Sequence, residues 1–381
     1  MNGGSGRGFR LVSHSGLGGC GDGMQVLREG DALYVAHYGQ SGMGTTVLDV
    51  SDPASPQIVD QWPAPDGTHT HKVQVADGLL LVNEERFKGA ETWAAGMVVY
   101  DVSEPLAPRR IGRFDCGGDG VHRIVWTGGR YAHASATPEG YADRIWLVID
   151  LSDPSRPVEA ARWELDERAP EGRRYAAHHA LLDESVGYLG YGDAGLVVLD
   201  LADVTRPRKL ARLGWEPGGG THTCMPLPGR GLVVVTDEQM RDGPGAEPRL
   251  VRVVDVSDPA APAVVGVCPE PEGDFAARPL RYGPHNLHEN RSGSYRSARL
   301  VFATYFNAGL RVYDLADPER PVEVAAWVPD APGEQGAAQT NDLFVEAGGR
   351  VWITDRFTGG LHCLEPEPEL AELMRASALP S

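Results

Sequence analysis

The sequence predicts an all-β fold, a seven-bladed β-propeller of four-stranded antiparallel blades, and three observations predict it. An alternating apolar phrase that closes on an acid and a proline turn recurs along the chain. Between the phrases lie short runs of Val, Leu, Ile and Tyr, cut by Gly, Asp and Pro at hairpin spacing. After the last phrase there is no fourth strand, while a spare apolar run stands near the N-terminus.

The phrases are TTVLDVSDPASP, MVVYDVSEPLAP, IWLVIDLSDPSRP, LVVLDLADVTRP, VRVVDVSDPAAP, LRVYDLADPERP and a degenerate GGLHCLEPEP, with their acids at Asp49, Asp101, Asp150, Asp200, Asp255, Asp314 and Glu365. Successive acids are 52, 49, 50, 55, 59 and 51 residues apart, a period that marks one repeating domain. The second period serves as template: HKVQVADG, LLLVNEE, MVVYDVS and PRRIGRF read as four strands. Its first hairpin turns at Asp77-Gly78, where glycine supplies the positive φ of a two-residue turn. In the Asp-Pro phrase the acid accepts backbone N–H bonds and the proline ends the ladder, so the third strand stops there. After Glu365 the sequence PEPELAELMRASAL reads as a short helix. The expected organisation is therefore one propeller over residues 1–365, its last blade completed by residues 9–14 (FRLVSH), and a C-terminal helix or tail over 366–381.

These phrases resemble the LVIVD repeat family, whose members form β-propellers. The resemblance covers nearly the whole chain and implies architecture; it implies no activity, because propellers host binding and catalysis alike.

A formal charge of −18, from 53 acidic against 35 basic residues, repels phosphate backbones and anionic headgroups, so neither nucleic acid nor membrane is an expected partner. No run approaches the length of a membrane span, the first residues carry no apolar signal region, and five scattered cysteines form no framework; a cytoplasmic chain is expected. The oligomeric state is not legible.

Aligning the periods places histidines at the entry to the first, innermost strand of five successive units. The register runs His71, His122, His178, Cys224, His285, with Asp342 and Met24 in the units without histidine. Several imidazoles at one level would repel one another if protonated, and a bound divalent ion resolves this. The expected ligands are His71, His122, His178 and His285. His69, His179, His222, Cys224, Asp237 and Glu289 are secondary ligands or orienting groups, and His288 and Glu84 are the candidate acid–base catalysts. Arg123, Arg281, Tyr282 and Tyr305 are expected to bind a small organic substrate. Fe(II) is favoured, with Mn, Cu or Zn possible. His14, His37, His133 and His362 fall outside the register and read as packing residues.

Histidine-bearing inner strands are similar to those of the carotenoid cleavage oxygenases, oligogalacturonate lyases and selenium-binding proteins, propellers that hold a metal. That likeness implies oxidative cleavage or oxygenation, or lyase-type elimination. The alternative is a non-enzymatic propeller acting as a protein- or ligand-binding scaffold.

Overall fold

The structure is a computed structural model that describes residues 3–216, 219–245 and 247–380; residues 1, 2, 217, 218, 246 and 381 of the expected domain spans lie outside these. It divides into two compact units, one formed by Leu27–Asp52 and Pro56–Gly219, the other by Met1–Val26, Pro53–Ser55 and Gly220–Ser381. No helix of the described residues is long and apolar enough to cross a membrane.

The first unit is built of antiparallel strands in sequence order. Gly23–Glu29, which begins just before the division, leads to Ala32–His37, Met43–Asp49 and Gln57–Pro63. Next come a set of five strands and a set of four, fused into one nine-stranded sheet because Gly120 pairs with Glu85. In the first set Thr68–His69 and Val73–Ala76 both pair with Leu79–Arg86, followed by Gly96–Asp101 and Arg109–Asp115. The second set is Gly120–Val125, Tyr131–Thr137, Ile145–Asp150 and Val158–Trp163. A further sheet holds Ala180–Asp183, Val186–Gly190, Leu196–Asp200 and Arg208–Leu213. Central strands such as Leu196–Asp200 are almost wholly buried and outer ones such as Gln57–Pro63 largely exposed, which is why the former are continuous apolar runs and the latter mixed.

The predicted acid turns are present. Asp49, Asp101, Asp150, Asp200, Asp255 and Asp314 each accept the backbone N–H two residues on, at 2.8–2.9 Å. The aromatics at the outer strands join successive sheets: Trp62 stacks on Tyr100 at 4.7 Å, and Trp163 meets Tyr191 edge-on at 6.1 Å.

The other unit begins with a regular sheet, Thr221–Leu227, Leu232–Asp237, Val251–Asp255 and Ala263–Val267. Its neighbour departs from the predicted pattern. Leu300–Thr304, Leu310–Asp314 and Val322–Pro329 have no regular inner strand, because the segment carrying His285 and His288 makes isolated bridges, Tyr282 to Phe306 and Leu287 to Ala303, in place of a continuous ladder. The fourth strand is instead Gly4–Arg7, added to the outer edge. In the last sheet, Thr340–Val345, Val351–Asp355 and Leu361–Pro366 are followed by Phe9–Ser15, antiparallel to Leu361–Pro366 with Phe9 opposite Pro366 and Ser15 opposite Leu361. The helix Pro368–Ser377 buries Leu370 and Met374 in the same core as Phe9, Leu364 and Trp327. Burial of each such side chain contributes about 1.5–3 kcal/mol, so a helix of ten residues is held by packing rather than by propensity.

Candidate metal centre

Three inner strands are interrupted where functional side chains sit. The ladder shifts between Val121 and Arg123, between Thr221 and Cys224, and between Thr340 and Asp342. His122, the His222–Thr223 pair and Asn341 therefore occupy bulges, which re-aim side chains that regular pleating would alternate.

In the Leu27–Gly219 part of the chain, the structure brings together His69, His71, His122, His178 and Glu85. His69 stacks on His71 with ring centroids 3.8 Å apart, and His71 lies 4.9 Å from His122. Ligating atoms of His69, His71 and Glu85 all lie within 4.8 Å of one another. Glu85 accepts a hydrogen bond from His122 Nδ1 at 2.8 Å, and His122 Nε2 is 3.0 Å from His178 Nε2. Asn83 fastens the strand end, accepting from the Lys72 N–H at 2.7 Å and donating to the Val121 carbonyl at 2.7 Å.

Burial holds the His71 imidazole well below its ordinary pKa, with help from the charges of His69, Lys72, His122 and Arg123. His122 is lowered by burial first, then by Arg144, Lys72, Arg123 and Arg174. Both rings are thus neutral at pH 7, the form that ligates metal. Desolvation raises the Glu85 carboxyl, an effect that a neighbouring cation reverses.

In the other unit, His285 sits with His222 and Glu238. His222 and His285 have ring centroids 4.3 Å apart, and Arg281 donates to Glu238 at 2.7 Å.

Several expected residues lie elsewhere. Glu84 is paired with Arg113 at 2.7 Å, because on the strand Leu79–Arg86 it alternates with Asn83 and Glu85. Asp237 is likewise paired with Arg252 and accepts from Thr221 Oγ1. His288 has both ring nitrogens engaged by backbone, Nε2 with the Tyr295 carbonyl at 2.8 Å and Nδ1 with the Val345 N–H at 3.3 Å, so it braces the chain instead of moving protons. Cys224 lies in the ladder opposite Val235, its thiol pushed well up by burial, and the histidine of that unit at the bulge is His222. His179 is fully buried in the sheet start, and Glu289 lies 4.0 Å from Arg291. Arg123 is buried beside His122, opposite Ser135. Tyr282 and Tyr305 pack against each other at 5.3 Å, with their hydroxyls toward Glu270 and the Arg249 carbonyl.

Glu85 and Glu238 were missed by sequence reasoning. The signal was strand parity: in Asn83-Glu84-Glu85 and Thr236-Asp237-Glu238 the third residue shares a face with the first.

With this geometry in view, likenesses to known proteins bear on the fold. The LVIVD repeat family matches residues 20–62, 140–164 and 250–269. Among solved structures, the periplasmic gluconolactonase PpgL of Pseudomonas aeruginosa is similar over 87% of this chain and 93% of its own, with TM-score 0.61 and 13% identity. The WD40 β-propeller domain of Doa1 is similar over 95% and 99%, with TM-score 0.59 and 9% identity. The computationally designed Ika8 protein is similar over 93% and 98%, with TM-score 0.54 and 10% identity. At these identities the likeness carries the fold alone. No curated protein matches the chain.

Proposed function

Because the chain carries LVIVD repeats on a propeller-like all-β fold, we propose that it is a metal-dependent enzyme acting on a small organic substrate, with a divalent ion held by His69, His71 and Glu85. The observation that carries this reading is the convergence of those three donors within 4.8 Å beside the coupled pair His122 and His178. Two imidazoles and one carboxylate leave coordination positions open and suit Fe(II) or Mn(II), with Cu or Zn as the other occupants considered.

Such an ion, when bound, supplies a Lewis acid and, as iron, a centre for oxygen activation. The chain's own groups do the rest. Glu85 fixes the His122 tautomer by accepting from Nδ1, which leaves the His122 Nε2 lone pair facing His178 Nε2. His178 then carries the shared proton and exchanges it with substrate. The donor set favours oxidative cleavage or oxygenation; the His122–His178 proton pair favours the second reading, elimination.

The same proposal takes the repeats as seven blades over residues 1–365, and the free cysteines as the mark of a cytoplasmic location. The deciding experiment is elemental analysis of untagged protein purified without chelator, followed by oxygen-uptake measurements on the Fe(II)-loaded chain. Substoichiometric metal after metal-replete growth leaves a binding scaffold.

A further inference from the structure

We propose that the chain holds a second divalent cation at His222, His285 and Glu238, a site that does not rest on the Glu85 reading.

The two clusters share one frame. In Asn83-Glu84-Glu85 and Thr236-Asp237-Glu238, the first side chain donates to a carbonyl of a later segment: Asn83 to Val121 at 2.7 Å, Thr236 to His285 at 2.6 Å. The middle acid is neutralised by an arginine, Arg113 or Arg252. The third residue, a glutamate, stands against two imidazoles.

The tautomer of His285 then requires positive charge. Its Nδ1 lies 2.7 Å from the Asn341 carbonyl, which only accepts, so Nδ1 carries the proton. In the neutral ring Nε2 is a lone pair 3.6 Å from Glu238 Oε1, and His222 Nε2 is 3.8 Å from Oε2. A lone pair beside a carboxylate is repelled unless a cation lies between them. His222 can supply positive charge toward Glu238 as a neutral ring, with Nδ1 2.9 Å from the Thr223 hydroxyl and its proton on Nε2, but His285 can supply it only as an imidazolium, 3% exposed and beside the Glu238 partners Arg281 and Arg356. One ion bonded to both neutral rings and Glu238 supplies it at a single point, with direct coordination against the repulsion of the arginines. Ligands with bonds of about 2.0–2.1 Å around a tetrahedral ion lie roughly 3.4 Å apart, against 3.6 and 3.8 Å from the two ring nitrogens to Glu238. A histidine whose second nitrogen donates to a backbone carbonyl is the usual arrangement of a ligating imidazole, and Arg281, 2.7 Å from Oε1, orients the carboxylate. Two imidazoles and a carboxylate are a donor set that Zn(II) takes, for which Co(II) is the spectroscopic substitute.

The test counts ions. The full chain, stripped with chelator, is titrated with Co(II) and followed by visible absorption and by elemental analysis after gel filtration. Two ions per chain are expected for the wild type. His285→Ala and Glu238→Gln each lose the same one, and Glu85→Gln loses the other. His222→Gln, which roughly preserves volume, repeats the count if Glu238→Gln fails to fold. If His285→Ala, Glu238→Gln and His222→Gln all bind as many ions as wild type, or if nitrogen NMR of the metal-replete chain shows His285 doubly protonated, the inference is overturned. Loss of all metal in Glu85→Gln overturns the separateness of the site. Failure of the Glu85 reading alone appears differently, as Glu85→Gln retaining every ion while His285→Ala loses one.

Discussion

His122 and His178 stand 56 residues apart in sequence, and their Nε2 atoms are 3.0 Å apart. With His122 Nδ1 donating to Glu85, only one proton fits between the two rings, or one ion can bind both: ligands at right angles with bonds of about 2.1 Å are roughly 3.0 Å apart.

Removing an imidazole from this group should therefore release metal without unfolding the chain. His69→Ala and His71→Ala are each expected to weaken metal binding at least tenfold, read by titration with a competing chelator. The far-UV spectrum should stay unchanged, because neither ring nitrogen set carries a strand ladder.

Adjacent glutamates should separate by phenotype. Glu85→Gln is expected to lower metal affinity about 10–100-fold with little change in stability. Glu84→Gln should leave the metal in place and destabilise the fold by about 1–3 kcal/mol, since Arg113 loses a buried carboxylate partner. Urea denaturation and metal titration of both variants check the split; identical behaviour would contradict the alternation of the strand.

Acid should weaken the fold through its packing histidines. Burial lowers His288 to about 4, His133 to about 4 and His362 to about 3, from an ordinary 6.5. Each is neutral when folded, so the unfolded chain binds more protons between those values and 6.5. Their stabilisation is complete above pH 6.5 and is lost as pH falls toward 4, with a slope of about 1.4 kcal/mol per pH unit for each group. His288→Gln should flatten the dependence of the denaturation midpoint in that window.

The strand Phe9–Ser15 should be indispensable. Phe9→Ala is expected to cost about 3–5 kcal/mol, because the ring is 5% exposed in the core shared by Leu364 and Leu370. Deleting residues 3–15 uncovers two sheet edges, and light scattering should then detect self-association.

The acid turns, the strand runs and the pairing of residues 9–14 were legible because each rests on local chemistry or on a strict count. The inner segment of the sixth period was not. Its Pro284-His285-Asn286-Leu287-His288 run carries strand-forming spacing and bonds to Phe302 and Thr304 by backbone, but it pairs there through an isolated bridge and not a continuous strand. Gly4–Arg7 escaped notice because a glycine-rich strand has almost no apolar signal. At the candidate site the histidines were visible as a repeat, whereas the opposite faces of Glu84 and Glu85 and the bulge at His222 were not. A bulge shifts the face of every later residue by one, and the alignment of periods does not reveal it.

Arg10 pairs with Glu365, 355 residues further along the sequence. Contacts of such long sequence separation are made late, after the entropic cost of closing a loop of nearly the whole chain, so this edge belongs to the slow end of folding kinetics. During synthesis Gly4–Arg7 waits for Val322–Pro329 and Phe9–Ser15 for Leu361–Pro366, so both strands stay unpaired until most of the chain has been made.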